Sequence, residues 1–252
     1  MHSNDREIRT ISGSSEQEHG NRESLYDLFK ICPIPDNELL SNLGLFTTRQ
    51  ALSRTLFMHE LYQKIIGTHG VIFEFGVRWG QNLSLFTSFR GMYEPYNYNR
   101  KIVGFDTFSG FPEVDPKDGK GNKAGDYSVT VGYENYLEKL LMIHENESPI
   151  AHIKKFELVK GDATIQIDKY LKNHPETIVS LAYFDFDIYI PTKKCLESIL
   201  PYLTKGSVIA FDELNYDKFP GETVAVREVL GLSKYRIQRS PLSPLCSYII
   251  IE

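Results

Sequence analysis

Two acidic pairs stand at the ends of apolar runs, where carboxylates are costly to keep. Leu181-Ala182-Tyr183-Phe184-Asp185-Phe186-Asp187-Ile188-Tyr189 sets two aspartates one residue apart among aromatic side chains, and Phe211-Asp212-Glu213-Leu214-Asn215 adds two adjacent acids. If the first run is a strand throughout, Asp185 and Asp187 point to one face. There they repel each other and raise a pKa unless a cation lies beside them. A divalent cation is the economical solution. Carboxylate oxygens with no Cys or His beside them suit a hard ion such as Mg²⁺ rather than zinc. The bland alternative is a set of solvated strand-end acids.

A second group of residues is spaced for holding a small molecule. Glu74-Phe75-Gly76-Val77-Arg78-Trp79-Gly80 joins an apolar run to a helical pattern. Its glycines let the backbone approach a ligand, and the helix beginning near Gln81 offers free N–H groups. It also reads as a plain strand-to-helix turn, but Glu74 lies in an apolar strand end and needs a polar partner, which a cationic amino acid would supply. Asp106 ends another apolar run, where an acid can accept hydrogen bonds from both hydroxyls of a ribose, in NAD or in S-adenosylmethionine alike. Asp162, in Lys160-Gly161-Asp162-Ala163-Thr164, is either the cap of the following helix or, in a methyltransferase, the partner of the adenine amine.

Such residues need strand ends to carry them. Apolar runs predict strands over Gly70 to Gly76, Lys101 to Asp106, Phe156 to Lys160, Val179 to Phe186 and Ser207 to Phe211. Helical patterns fall at Leu83 to Phe89, Thr164 to Asn173 and Thr192 to Tyr202. This alternation predicts a mostly parallel sheet with helices on both faces. Tyr235 to Arg239 and Ser247 to Ile251 are joined too closely for a parallel crossover, so they predict an antiparallel hairpin. Leu43, Leu52, Leu56, Phe57, Leu61 and Ile65 recur at helical spacing, in one or two amphipathic helices that would pack on the sheet or in a homodimer. Residues 1–38 read as a flexible arm and 39–252 as a single domain with a lid insertion at about 113–150, whose polar stretch Glu113 to Thr130 is long for a mere connection. Tyr127 could stack on a sugar ring, whereas Tyr133 and Tyr136, at helical spacing, are expected to pack against the sheet.

Bulk properties remove several classes. At 252 residues the chain suits one large α/β domain. A net charge of -5 argues against a nucleic-acid surface, which depends on clustered Lys and Arg. The three cysteines, Cys32, Cys195 and Cys246, are scattered and odd in number, unlike a disulfide framework or a zinc site. No apolar run approaches the roughly 20 residues of a membrane span. The expected compartment is the cytoplasm, with no membrane partner.

Glu74 to Gly80, Val103-Gly104-Phe105-Asp106-Thr107-Phe108-Ser109-Gly110-Phe111-Pro112, Asp185 to Tyr189, Phe211-Asp212-Glu213 and Phe219-Pro220-Gly221-Glu222-Thr223 together resemble the macrocin O-methyltransferase-like family of class I S-adenosylmethionine-dependent sugar O-methyltransferases. The resemblance runs from about Leu43 to the end. It implies an α/β, Rossmann-like class I methyltransferase fold with a seven-stranded, mostly parallel sheet closed by an antiparallel hairpin. It further implies that Asp185, Asp212 and Glu213 ligate Mg²⁺ and that Asp187 is the general base. Glu74, Gly76, Asp106, Thr107, Asp162 and Ala163 would line the S-adenosylmethionine site. The acceptor would be a sugar hydroxyl, on a deoxyhexose or a nucleotide sugar. Three positions depart from the pattern: Glu213 stands where the family has Asp, and Gln81-Asn82 replace small residues near the methionine carboxylate. Rival readings are a nicotinamide-dependent oxidoreductase, which does not need the strand-end carboxylates, and a metal-dependent hydroxylase, whose iron would want His ligands. A methyltransferase of catechols and a non-catalytic binding protein complete the set.

Overall fold

The apolar runs are short and bounded by glycine or polar residues, so they pair as strands rather than extend as helices. The computed structural model describes residues 8–252. Its strands are β1 (Val71–Phe75), β2 (Ile102–Asp106), β3 (Phe156–Lys160), β4 (Val179–Phe184), β5 (Leu203–Phe211), β6 (Gln238–Arg239) and β7 (Ser247–Ile250). They form one seven-stranded sheet in the order β3-β2-β1-β4-β5-β7-β6. The first five run parallel, and β7 is antiparallel to both β5 and β6, as the short connection requires.

Helices α3 (Arg49–Ile65), α4 (Gln81–Tyr93) and α5 (Tyr133–Asn146) cover one face, and α6 (Ala163–Asn173), α7 (Tyr189–Ile199) and α8 (Pro220–Val229) the other. Covered on both sides, β4 is buried along its whole length. Strand order reverses at β1, between β2 and β4, which is where ligands sit in open sheets of this kind.

Register brings the candidate residues level. Phe75 pairs with Phe105 on one side and Phe184 on the other, and Phe184 pairs with Phe211. The four rings stack along the sheet at centroid distances of 5.1, 4.7 and 5.6 Å. The residues that follow them, Asp106, Gly76, Asp185 and Asp212, therefore emerge in one row along the carboxyl edge. A buried row of four phenylalanines beneath the site fixes that edge against movement.

Three expectations differ from what forms. The fourth strand stops at Phe184, so Asp185 and Asp187 lie in the turn beyond it and strand alternation does not set their directions. Asp187 instead adopts φ 64°, a left-handed conformation that an L side chain takes only under constraint. Within the expected arm, α1 (Glu16–Lys30) is a helix, started by a capping box in which Ser15 and Glu18 bond each other's backbone N–H. It buries none of its side chains, which is why its apolar pattern carries no signal. A short helix, α2 (Asp36–Leu39), and a 3-10 stretch over Leu40–Phe46 complete the approach to α3. The first seven residues of the arm lie outside the described residues. In the expected lid, the second half is α5, whose Leu137 and Leu141 are core residues; only the first half is loop, with one 3-10 turn at Pro116–Asp118.

Candidate active site

A cavity of about 330 Å³ opens at the carboxyl edge, above the stacked rings. On its β1–β2 side the lining includes Gly76, Asp106, Thr107, Asp162 and Ala163. Gly76 has φ 91°, and a Cβ there would lie 2.1 Å from the Asp185 carbonyl oxygen, so this crossing of the two strand ends admits glycine alone. Asp106 accepts three backbone N–H groups: Val77 and Arg78 on Oδ2, both at 2.7 Å, and Phe108 on Oδ1 at 2.5 Å. Burial pushes its carboxyl up, and these donors oppose the push. Asp162 caps α6, taking the Thr164 N–H and hydroxyl on Oδ1 at 2.9 and 2.7 Å, and it faces the cavity as well. The helix-cap reading of that residue is met, in a side chain that also borders the cavity. Thr107 closes its own turn by donating to the Gly110 carbonyl at 2.7 Å. Four backbone N–H groups open each helix without an intrahelical partner, and the start of α4, at Gln81 and Asn82, borders the cavity.

Glu74 stands two residues before Gly76, below the ring row, and is buried out of the lining. Oε1 accepts from the Asn82 side chain at 2.8 Å, and Oε2 has no partner. Burial holds its carboxyl well above the usual range. Asn82, one of the three departures from the family pattern, is thus the polar partner that Glu74 requires.

The β4–β5 side carries Asp185, Asp187, Asp212 and Glu213. Arg54, from α3, lies between two of them. Its Nη1 reaches both oxygens of Asp212 at 3.1 Å, Nη2 donates to Asp185 Oδ2, and Nε donates to Asn82 at 3.2 Å. Asp212 also accepts the Tyr183 hydroxyl at 2.7 Å. Burial works against the Asp212 charge, but Arg54 and Tyr183 outweigh it and hold the carboxyl low. Asp185, with less help, is pushed up to about 7 by burial and by Asp212.

The remaining acids have no such cation. Asp187 is buried, and burial with Glu213 beside it raises its carboxyl well above the usual range. Glu213 is pushed up to about 8 by burial and by Asp212, and its Oε2 is buried without a partner. Behind it, Glu222 on α8 is fully buried; Oε2 accepts the Glu213 N–H at 3.0 Å and Oε1 has no partner. Among the described residues no three acid, histidine or cysteine side chains converge as a ligand set, and Asp185 and Asp212 are both paired with Arg54.

The expected residues are therefore together, Glu74 just beneath the others. Sequence reasoning missed Arg54, although position 54 falls on the stripe that continues as Phe57, Met58, Leu61 and Ile65 of α3, where a charge needs a partner. Glu222 appeared in the motif without a role. Tyr127 lines the cavity at φ 60°, and its backbone N–H donates to the Arg9 carbonyl at 2.9 Å. Arg9 grips Asp126 with both carboxylate oxygens at 2.7 and 2.9 Å, so the N-terminal segment lies on the loop that borders the site. Tyr133 packs edge-on to Trp79 at 4.8 Å and against Tyr136 at 5.6 Å, outside the lining.

Comparison with solved structures follows the same lines. The chain is 43% identical to CalS11, a calicheamicin methyltransferase, with a TM-score of 0.92 over 99% of this chain and 98% of that one. An apo structure of CalS11, described as a TDP-rhamnose 3'-O-methyltransferase of calicheamicin biosynthesis, matches at 41% identity and a TM-score of 0.85 over 97% and 99%. The O-methyltransferase NovP shares the fold at 17% identity and a TM-score of 0.54, over 81% of this chain and 82% of its own. No protein-family model and no curated protein matches. Among the described residues no helix is long and apolar enough to cross a membrane.

Proposed function

The chain belongs to the macrocin O-methyltransferase-like family of class I S-adenosylmethionine-dependent sugar O-methyltransferases, and from that premise we propose that it methylates one hydroxyl of a deoxyhexose carried on a nucleotide. The observation that carries this is the division of one cavity into a side that suits the donor and a side crowded with acids. Asp106 would take the ribose hydroxyls, Asp162 the adenine amine, and the Gly76 turn with Thr107 and Ala163 the body of the donor. Glu74, through Asn82, would set the charge at the methionine end.

In the transfer, the acceptor oxygen attacks the methyl carbon as its bond to sulfur breaks, leaving S-adenosylhomocysteine. The hydroxyl proton would pass to Asp187, the general base, once positive charge on the acid side returns its raised carboxyl to the ionised form. Such a step is worth roughly 10²- to 10⁴-fold, and holding oxygen, carbon and sulfur in line is worth at least as much. The crowded acids fit a divalent cation: of five carboxylates only Asp185 and Asp212 are paired with Arg54, two of the five are pushed up to about 7 and 8, and Glu213 Oε2 and Glu222 Oε1 lack partners. Asp185, Asp212 and Glu213 would hold Mg²⁺, with the longer Glu213 in place of the family's Asp. Bound there, the ion would neutralise the acids and make the acceptor hydroxyl more acidic. Tyr127 and the loop under Arg9 would exclude water from the acceptor. A homodimer belongs to the same reading, since α1 buries no side chain while Leu28, Leu40, Leu45 and Leu52 are exposed; sedimentation checks it.

The test is methyl transfer from labelled S-adenosylmethionine to TDP-linked deoxyhexoses and to the free sugars, with Mg²⁺ or with EDTA. Transfer to the nucleotide sugar that EDTA abolishes is the expected result. Transfer confined to catechols, or indifferent to EDTA, would contradict the acceptor or the metal respectively.

A further inference from the structure

Among the described residues, Arg54 is the only cation within salt-bridge distance of the five crowded carboxylates. Its planar fork takes both oxygens of Asp212 and one of Asp185, the oxygens that a metal at these residues would need. Guanidinium and metal are both cations, and in a partly buried site they repel too strongly to share two carboxylates. One of them must give way.

The two partners are not equally free to move. Asp185 and Asp212 follow directly on the stacked Phe184 and Phe211, at the ends of buried strands. Arg54 sits in the first half of α3, one turn before the helix enters the core at Phe57, and its side chain is 28% exposed against 14% for Asp212. The arginine reaches the acids through a long side chain with several rotatable bonds, whereas the aspartates are short and fixed to strand ends. Its Nε also holds Asn82, which in turn holds Glu74, so the guanidinium ties the acid side to the methionine end.

We propose that Arg54 is a built-in counter-cation: it holds Asp185 and Asp212 in place in the metal-free protein and must withdraw when a divalent ion takes them, so that guanidinium and metal compete for one site. Arg54 is thereby a positioning residue that sets metal affinity without being a ligand. The inference rests on the metal reading of the acid side. Its sign separates it from a structural role: a merely structural arginine would, on removal, loosen the acids and weaken metal binding, whereas a competitor would, on removal, strengthen it.

The experiment titrates Mn²⁺ into the full chain, reading free Mn²⁺ by electron paramagnetic resonance, for wild type, Arg54→Met and Arg54→Lys, with S-adenosylmethionine binding measured on the same samples by calorimetry. Arg54→Met is expected to bind Mn²⁺ at least tenfold more tightly than wild type, and Arg54→Lys, which cannot fork across both acids, to fall between them. Arg54→Met should also melt below wild type in EDTA and gain more from added Mn²⁺. Should Arg54→Met not fold, the rise in affinity of Arg54→Lys over wild type carries the test. Equal or weaker Mn²⁺ binding in the variants overturns the competition while leaving the metal reading intact. No Mn²⁺ binding in any form, with donor binding preserved, overturns both.

Discussion

On the β1–β2 side of the cavity Asp106 divides three backbone N–H groups between its two oxygens, and Asp162 caps a helix. Across the same cavity stand Asp185, Asp187, Asp212 and Glu213, with Glu222 behind them; Arg54 pairs only with Asp185 and Asp212, and two of the buried oxygens have no partner. The first arrangement is finished by the chain itself and presents a fixed shape to a donor. The second is electrostatically unfinished and is stabilised by whatever brings positive charge or a proton. A third acid site, remote from the cavity, gives the reference state: Glu145 is fully buried between Arg90 at 2.7 Å and Lys155 at 2.5 Å. Burial alone does not make a carboxylate reactive; burial without a matching cation does.

The contrast can be broken in graded steps. The largest effect is expected at Asp187→Asn, which keeps the shape but cannot take a proton: single-turnover transfer should slow by roughly 10²- to 10⁴-fold. Undiminished transfer would place the base elsewhere. Next comes one substitution made at two sites. Glu145→Gln leaves Arg90 and Lys155 without their counter-charge and should destabilise the protein by about 3–5 kcal/mol in urea melts. Glu222→Gln removes a charge that has no cation, and the amide oxygen can still accept the Glu213 N–H, so stability should stay within about 1 kcal/mol of wild type or rise. Equal losses at both sites would mean that the two acids are held alike.

The smallest effect tests a well-partnered acid by pH. Burial pushes the Glu94 carboxyl up, but hydrogen bonds from Arg100 and Tyr62 outweigh it and leave it below its usual range. A lowered folded pKa contributes stability that is present above the unfolded value and lost as pH falls through the folded one. Melting temperature should therefore drop less steeply in Glu94→Gln than in wild type below about pH 4.3. Parallel acid limbs would contradict the ion pair.

Strands and their terminal acids were legible in the sequence because each strand is a short apolar run ended by glycine or an acid, and the hairpin because its two strands lie too close for a crossover. The Phe75, Phe105, Phe184 and Phe211 row was not legible, since register across β1, β2, β4 and β5 is a tertiary fact. Arg54 was legible only in part: its place on the stripe of α3 marks a charge that needs a partner, but the partners themselves lie 131 and 158 residues away. The strand expected over Val179 to Phe186 runs two residues too far because Phe184 and Phe186 flank Asp185 with aromatic rings, but the chain turns out of the sheet after Phe184. The α1 helix was hidden by polarity, as a helix with no buried face leaves no periodic stripe.

The division of the cavity is tested most directly by calorimetric titration of S-adenosylmethionine into wild type, Asp106→Ala and Asp187→Asn. A donor held on the β1–β2 side requires Asp106→Ala to bind about tenfold or more weakly, with Asp187→Asn within about twofold of wild type. Loss of donor binding in Asp187→Asn together with wild-type affinity in Asp106→Ala would contradict the account at its centre.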